Sequence, residues 1–231
     1  MTEGRTRLSW SEVGDPKGPV VVYFHGTPKA VEPFSHADVA DEVGARVLMV
    51  DRPGYGNSPS RPGASFSDVA RMVLDDLTGM GLDQCSLLGW SGGGPHALAC
   101  AAEAPSRVRA VGLFGSWAPM HPPDRGLPLG VRFAMRVAAS LARPAVQLML
   151  LGRHGRAGMV DDVRRVARPW GFDVERVASS VRVVAWHAEG DRQVPMAPWR
   201  EINGVELNVL PGDSHDVSPE RWEIALRALT S

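Results

Sequence analysis

Short apolar runs bounded by Gly and Pro alternate with stretches whose apolar residues recur every three or four positions. Val20-Val21-Val22-Tyr23-Phe24 is a continuous β-branched and aromatic run, the pattern of a strand covered on both faces. Similar runs at Arg46–Val50, Cys85–Leu88, Val108–Phe114, Val181–His187 and Val205–Leu210 predict five further strands. Arg7–Val13 reads as an edge strand or short strand pair, closed by the turn signal Gly14-Asp15-Pro16-Lys17-Gly18. Phe66, Val69, Ala70, Val73, Leu74 and Leu77 follow helical spacing, which predicts a helix with Ser67 as its N-cap. Further helices are expected over about 35–43, 95–103 and 219–229. Strands that alternate with helices predict an α/β protein with a mostly parallel sheet wrapped on both faces.

Residues 118–180 break this alternation. They read as helices and loops without a strand, too long for a crossover and short for an independent domain. The expected organisation is therefore a core of residues 1–117 and 181–231, with 118–180 inserted as a helical cap above the strand ends. Val131–Leu141 can be drawn as an amphipathic helix, with Arg132, Arg136 and Arg143 near one face and Met135 on another. Leu148 belongs to the apolar cluster Gln147–Leu151. Such adaptable side chains would suit an apolar acyl or alcohol group; they would equally seat the cap on the core.

Composition narrows the function classes. The net charge is −1 over 231 residues, with acidic and basic residues intermixed, so no basic stripe for nucleic acid is present. Cys85 and Cys100 lack metal-type spacing and read as buried free thiols. Met1–Arg5 has no apolar leader core, and Val131–Leu151 carries Arg132, Arg136, Arg143 and Pro144, which makes it a poor membrane span. A soluble cytoplasmic monomer or homodimer is expected, with a small-molecule substrate and with no nucleic-acid or membrane partner.

The candidate chemistry lies where strands end. Gly89-Trp90-Ser91-Gly92-Gly93 fits G-x-S-x-G, a strand-to-helix turn that lifts a serine above the sheet edge at a helix N-terminus. Taken alone, the motif equally fits a structural Gly-rich turn. Asp191 follows a later strand, and His215 follows the last one. A hydroxyl nucleophile, an imidazole to take its proton and a carboxylate to orient that imidazole form a working set. Asp213 and Asp216 flank His215 but are too near in sequence to orient its ring easily. His121, His154 and Asp124 lie apart in loop-like sequence, and neither a metal nor another cofactor is expected.

Five ordered segments carry a resemblance. His25-Gly26-Thr27-Pro28, Asp51-Arg52-Pro53-Gly54-Tyr55-Gly56-Asn57-Ser58, Gly89–Gly93, Gly190-Asp191-Arg192-Gln193-Val194-Pro195 and Gly212-Asp213-Ser214-His215 resemble motifs of the α/β-hydrolase fold family. The resemblance implies Ser91 as nucleophile, His215 as general base and then acid, and Asp191 as the orienting carboxylate. It also implies an oxyanion hole built from the backbone N–H groups of Thr27 and Gly92, so that truncating the Thr27 side chain should matter less than shifting its loop. His25 is read as structural, and Asp51 and Arg52 as holding their loop. Trp90, Trp117, Met135 and Leu148 are the expected pocket residues. The implied activity is hydrolysis of a small or medium apolar carboxylic ester. Thioester or lactone hydrolysis, a proline-iminopeptidase-like activity and a non-catalytic ligand receptor are the alternatives. The peptidase would need a cap carboxylate to hold a peptide amine, with Asp124, Asp161, Asp162, Asp173 and Glu175 as candidates. A serine at position 91 argues against the branches of the family built on an aspartate nucleophile.

Overall fold

A computed structural model describes residues 7–27, 37–119, 156–212 and 214–231. Seven strands form one sheet: β1 (Ser9–Gly14), β2 (Val20–Phe24), β3 (Arg46–Asp51), β4 (Cys85–Trp90), β5 (Val108–Phe114), β6 (Arg182–Ala188) and β7 (Val205–Leu210). Their order across the sheet is β1-β3-β2-β4-β5-β6-β7. Only β1 runs antiparallel to its neighbour; the other pairings are parallel. The expected mostly parallel α/β sheet is what the chain forms.

Side-chain alternation along the central strands divides the core in two. Val22 and Phe24 of β2 point to one face of the sheet with Leu48, Val50, Leu87, Val111 and Leu113. Val21 and Tyr23 point to the other face with Val47, Met49, Leu88, Val184 and Trp186. On the first face lie α2 (Phe66–Gly79), α3 (Gly94–Glu103) and α5 (Val174–Ser180); on the second lie α1 (Ala37–Val43) and α6 (Pro219–Thr230). Among the described residues, α4 (Arg156–Val166) and then α5 follow β5 and precede β6 in the chain. Burying both faces of each central strand explains why these strands read as unbroken apolar runs. Ser86, a polar exception inside β4, donates its hydroxyl to the Leu229 carbonyl of α6.

The cap of α2 differs from expectation. Ser65, not Ser67, is the N-cap; its hydroxyl accepts from the Asp68 N–H while the Asp68 carboxylate accepts from the Ser65 N–H. The reciprocal pair satisfies two helix-terminal groups at once; the helix starts at Phe66, the first residue of the apolar stripe, so Ser67 lies inside it. Cys85 and Cys100 are buried and free. Among the described residues no helix is long and apolar enough to cross a membrane.

Candidate active site

Because β2, β4, β5, β6 and β7 run parallel, the segments that leave their carboxyl ends gather at one edge of the sheet. There β4 turns sharply into a 3-10 turn, Ser91–Gly93, and then into α3. Ser91 sits at φ 52°, the one non-glycine residue with positive φ among those described. Such a left-handed conformation is strained for a side-chain-bearing residue. Its neighbours must be small for the turn to close. A Cβ at Gly89 would lie 2.5 Å from the Gly94 Cα, and one at Gly93 would lie 2.1 Å from the Phe24 carbonyl oxygen. Trp117 N–H reaches the Ser91 carbonyl at 3.4 Å from the segment after β5.

The structure brings Ser91, His215 and Asp191 together. Ser91 Oγ is 2.9 Å from His215 Nε2, and His215 Nδ1 is 2.7 Å from Asp191 Oδ2. Burial works against ionising Asp191. Hydrogen bonds from His187, His215 and the backbone N–H groups of Val194 and Gln193 outweigh it and hold the carboxyl well below the usual carboxylate range. At neutral pH the group is therefore a carboxylate, so His215 Nδ1–H donates to it and leaves Nε2 free to accept from Ser91. His187, buried beside this pair, donates to the Val194 carbonyl and fixes the turn that presents Asp191. Of the competing carboxylates, Asp213 lies outside the described residues; His215 Nδ1 is committed to Asp191 rather than to Asp216.

The two residues expected to supply oxyanion donors lie side by side. A Cβ at Gly92 would lie 3.3 Å from the Thr27 nitrogen and 2.3 Å from Thr27 Oγ1. Trp90 donates its indole N–H to the His215 carbonyl at 3.0 Å and packs with the second core cluster. It therefore braces the histidine loop. Trp117 is half-buried against the first cluster. Met135 and Leu148 lie outside the described residues, as do Pro28, His121, Asp124 and His154. Two surface clefts, of about 660 and 290 Å³, are lined by Trp170, Phe172 and Arg176 and by Ser65, Asp161 and Arg164, away from Ser91.

One feature beside the site escapes sequence reasoning: a buried charge cluster centred on Asp162 of α4. Its Oδ2 accepts from Arg52, from Tyr55 Oη at 2.7 Å and from Thr27 Oγ1 at 2.8 Å. Its Oδ1 accepts from His96 Nε2 at 3.1 Å and Arg165 Nη1 at 3.0 Å. The Arg52 side chain is 0% exposed and that of Asp162 4%. Burial opposes ionisation of Asp162, but Arg52, His96 and Arg165 reverse the balance and keep the carboxyl well below its ordinary range. Arg52 also donates to the His25 carbonyl, and its backbone N–H donates to His25 Nε2. His25 and the loop at Arg52 thus have the structural role expected of them, but the partner of Arg52 comes from 110 residues further on. The only sequence trace is an arginine in a Pro/Gly-rich loop without a nearby acid to pair with beyond Asp51.

A family model described as alpha/beta hydrolase fold matches residues 19–136, more than half of the chain. The sn-1-specific diacylglycerol lipase ABHD11 of Mus musculus is 34% identical over 100 residues, 42% of this chain and 33% of that protein. Haloalkane dehalogenase 2 of Mycobacterium tuberculosis is 31% identical over 152 residues, 65% of this chain and 50% of that protein. The chain thus spans half or less of the length of these curated relatives. A bromoperoxidase from Bacillus anthracis superposes with a TM-score of 0.72 at 17% identity, covering 96% of this chain and 94% of that one. At that identity the likeness speaks for the fold.

Proposed function

Because this chain belongs to the α/β-hydrolase fold family, and because Ser91, His215 and Asp191 form one hydrogen-bonded chain, we propose that it is a serine hydrolase cleaving a small or medium apolar carboxylic ester. In this reading Ser91 Oγ attacks the ester carbonyl carbon while His215 Nε2 takes the hydroxyl proton. The carbonyl electron pair moves onto oxygen, where the N–H groups of Thr27 and Gly92 receive it. Collapse breaks the ester C–O bond. The leaving alcohol takes the proton from His215, and the acyl group stays on Ser91. Water then attacks the acyl carbon as His215 takes its proton, and the second collapse releases the acid and returns a proton to Ser91. Asp191 keeps its charge throughout, orients the ring and stabilises the imidazolium.

The single observation that carries this reading is the 2.9 Å contact between His215 Nε2 and a serine held at positive φ at the start of a helix. Thioester and lactone hydrolysis would use the same atoms. The peptidase alternative loses support from the four candidate cap carboxylates among the described residues. Asp162 already accepts five hydrogen bonds, Asp161 is buried and paired with Arg164, Asp173 caps α5, and Glu175 accepts from Asn203. The relative named as a dehalogenase does not change the reading, since Ser91 stands where that branch needs an aspartate. A soluble protein acting on a small molecule, with residues 118–180 as its cap, belongs to the same proposal.

A fluorophosphonate probe and a series of p-nitrophenyl esters of rising chain length test it. Labelling that depends on Ser91, together with turnover, supports the esterase. A labelled but inert protein points to a receptor, and labelling that survives Ser91→Ala overturns the site assignment.

A further inference from the structure

The oxyanion loop is tied to α4, a segment 135 residues from Thr27 at the point of contact, through the Asp162 side chain. Thr27 Oγ1 donates to Asp162 Oδ2 at 2.8 Å, and Arg52 Nη2 donates to the same hydroxyl at 3.2 Å. The Thr27 hydroxyl is thus held by both members of a buried ion pair, while its backbone nitrogen lies beside Gly92. The other end of the tie is equally constrained. Tyr55 and His96 hold Asp162 from α2's approach loop and from α3, and Arg165 holds it from the next turn of α4. Backbone contact adds a second clamp, because Gly158 N–H donates to the Gly54 carbonyl. A Cβ at Gly158 would lie 2.3 Å from the Tyr55 ring, so α4 approaches as closely as its chemistry permits.

We propose that Asp162 is a positioning residue: through the Thr27 hydroxyl it sets the direction of the Thr27 N–H, and so couples the seating of α4 to oxyanion stabilisation. This rests on the serine-hydrolase reading. The Thr27 side chain then sets the position of its own loop, so the sequence expectation that truncating it matters less than shifting the loop no longer separates the two effects. An ionised carboxylate suits the task because charge-assisted hydrogen bonds are short and directional. Loss of the tie leaves the triad intact and misdirects only the donor, and a misplacement of about 1 Å can cost on the order of a hundredfold in rate.

The test compares Thr27→Val, which keeps the branched shape without the hydroxyl, with Thr27→Ser, which keeps the hydroxyl. Three quantities are read: kcat and KM on a p-nitrophenyl ester, the rate of phosphonylation of Ser91 by the fluorophosphonate, and thermal unfolding. Thr27→Val should lower kcat and phosphonylation together by about ten- to a hundredfold, with KM within about threefold of the parent. Thr27→Ser, which restores the hydroxyl, should recover most of what Thr27→Val loses, with kcat and phosphonylation at least about fivefold above those of Thr27→Val. Asp162→Asn should lose at least as much as Thr27→Val, since it also disturbs the carboxylate's bonds to Arg52, Tyr55, His96 and Arg165, and adding Thr27→Val to it should lower the rates little further. A folded Thr27→Val with parental rates would overturn the proposal, as would Thr27→Ser falling as far as Thr27→Val. Should Asp162→Asn fail to fold, the Thr27 pair decides. Should no ester be hydrolysed, the phosphonylation rate still reports the donor geometry, so failure of the esterase reading and failure of the tie remain distinct.

Discussion

Gly115 lies directly against His215: a Cβ at position 115 would stand 3.0 Å from His215 Nδ1 and 3.4 Å from Asp191 Oδ2. The segment after β5 thus closes over the hydrogen bond that orients the imidazole, and it can do so only without a side chain. Gly115 also has φ +47°, a conformation that costs other residues on the order of 1–3 kcal/mol. Gly115→Ala should therefore lose stability in that range and displace the ring as well. Urea unfolding would read the first effect. A kcat on p-nitrophenyl acetate lowered by about tenfold or more, from a ring shift of a few tenths of an ångström, would read the second. Parental values for both would show that the His215–Asp191 pair tolerates the added methyl group.

The three members of the triad should act as one unit. Ser91→Ala and His215→Ala should each lower kcat by on the order of a millionfold, Asp191→Asn by roughly ten-thousandfold, and the Ser91/His215 double variant no further than either single one. Single-turnover kinetics on an activated ester measure this. Equal and additive small losses would mean that the acyl-enzyme route is wrong.

The strands, their parallel arrangement and the ends where Ser91, Asp191 and His215 sit were legible because each rests on local information. An apolar run of five or six residues ends at Gly or Pro, and the reactive side chain follows within a few positions. Parallel strands deliver their carboxyl ends to one edge, but the roles of the three residues came from the resemblance of five ordered segments to the α/β-hydrolase fold family, not from topology alone. What stayed hidden were relationships between remote polar residues. Arg52 and Asp162 are far apart in the chain, and in the sequence Asp162 stands only as one of several cap carboxylates that a peptidase would use to hold an amine. That reading misses the burial of Asp162 and Arg165, which α4 turns into the core rather than to water. The position of Ser65 was missed for a smaller reason: apolar spacing marks where a buried stripe begins, whereas the cap lies outside the stripe.

That correction can be tested without touching catalysis. Ser65→Ala removes the hydroxyl that accepts from Asp68 N–H and should cost about 1 kcal/mol. Ser67→Ala, one position inside the helix, should be nearly neutral or slightly stabilising, since alanine is the better helix former. The Asp68 carboxyl, pulled down to about 2 by the Ser65 hydroxyl and backbone N–H and by Arg71, should rise in Ser65→Ala. Chemical denaturation of the two variants, with kcat as a control that stays constant, distinguishes the two caps. A larger loss in Ser67→Ala than in Ser65→Ala would reverse the assignment.

Acid stability follows from the histidines buried beside the Asp162 cluster. Burial lowers the His96 pKa to about 4 despite its hydrogen bond to Asp162, with Arg52 and Arg165 adding to the shift. Burial and then Arg52 likewise push His25 well below its ordinary value. In the unfolded chain both imidazoles titrate near 6.5. Between about pH 6.5 and 4 the unfolded state therefore binds more protons than the folded one, so stability rises with pH across that window and is lost as pH falls through it. Two such groups give a slope approaching about 2.7 kcal/mol per pH unit once the unfolded imidazoles are fully charged. The depressed Asp162 carboxyl adds nothing here. Its contribution is present above the unfolded carboxylate range and disappears only below it, as pH falls toward its folded value. Urea unfolding at pH 7, 6 and 5 should show the loss, and His96→Gln, which can still donate to Asp162, should reduce the slope by about 1.4 kcal/mol per unit. A stability that stays level from pH 7 to 5 would mean that these imidazoles take up protons inside the fold, and that the cluster around Asp162 admits more water than its burial implies.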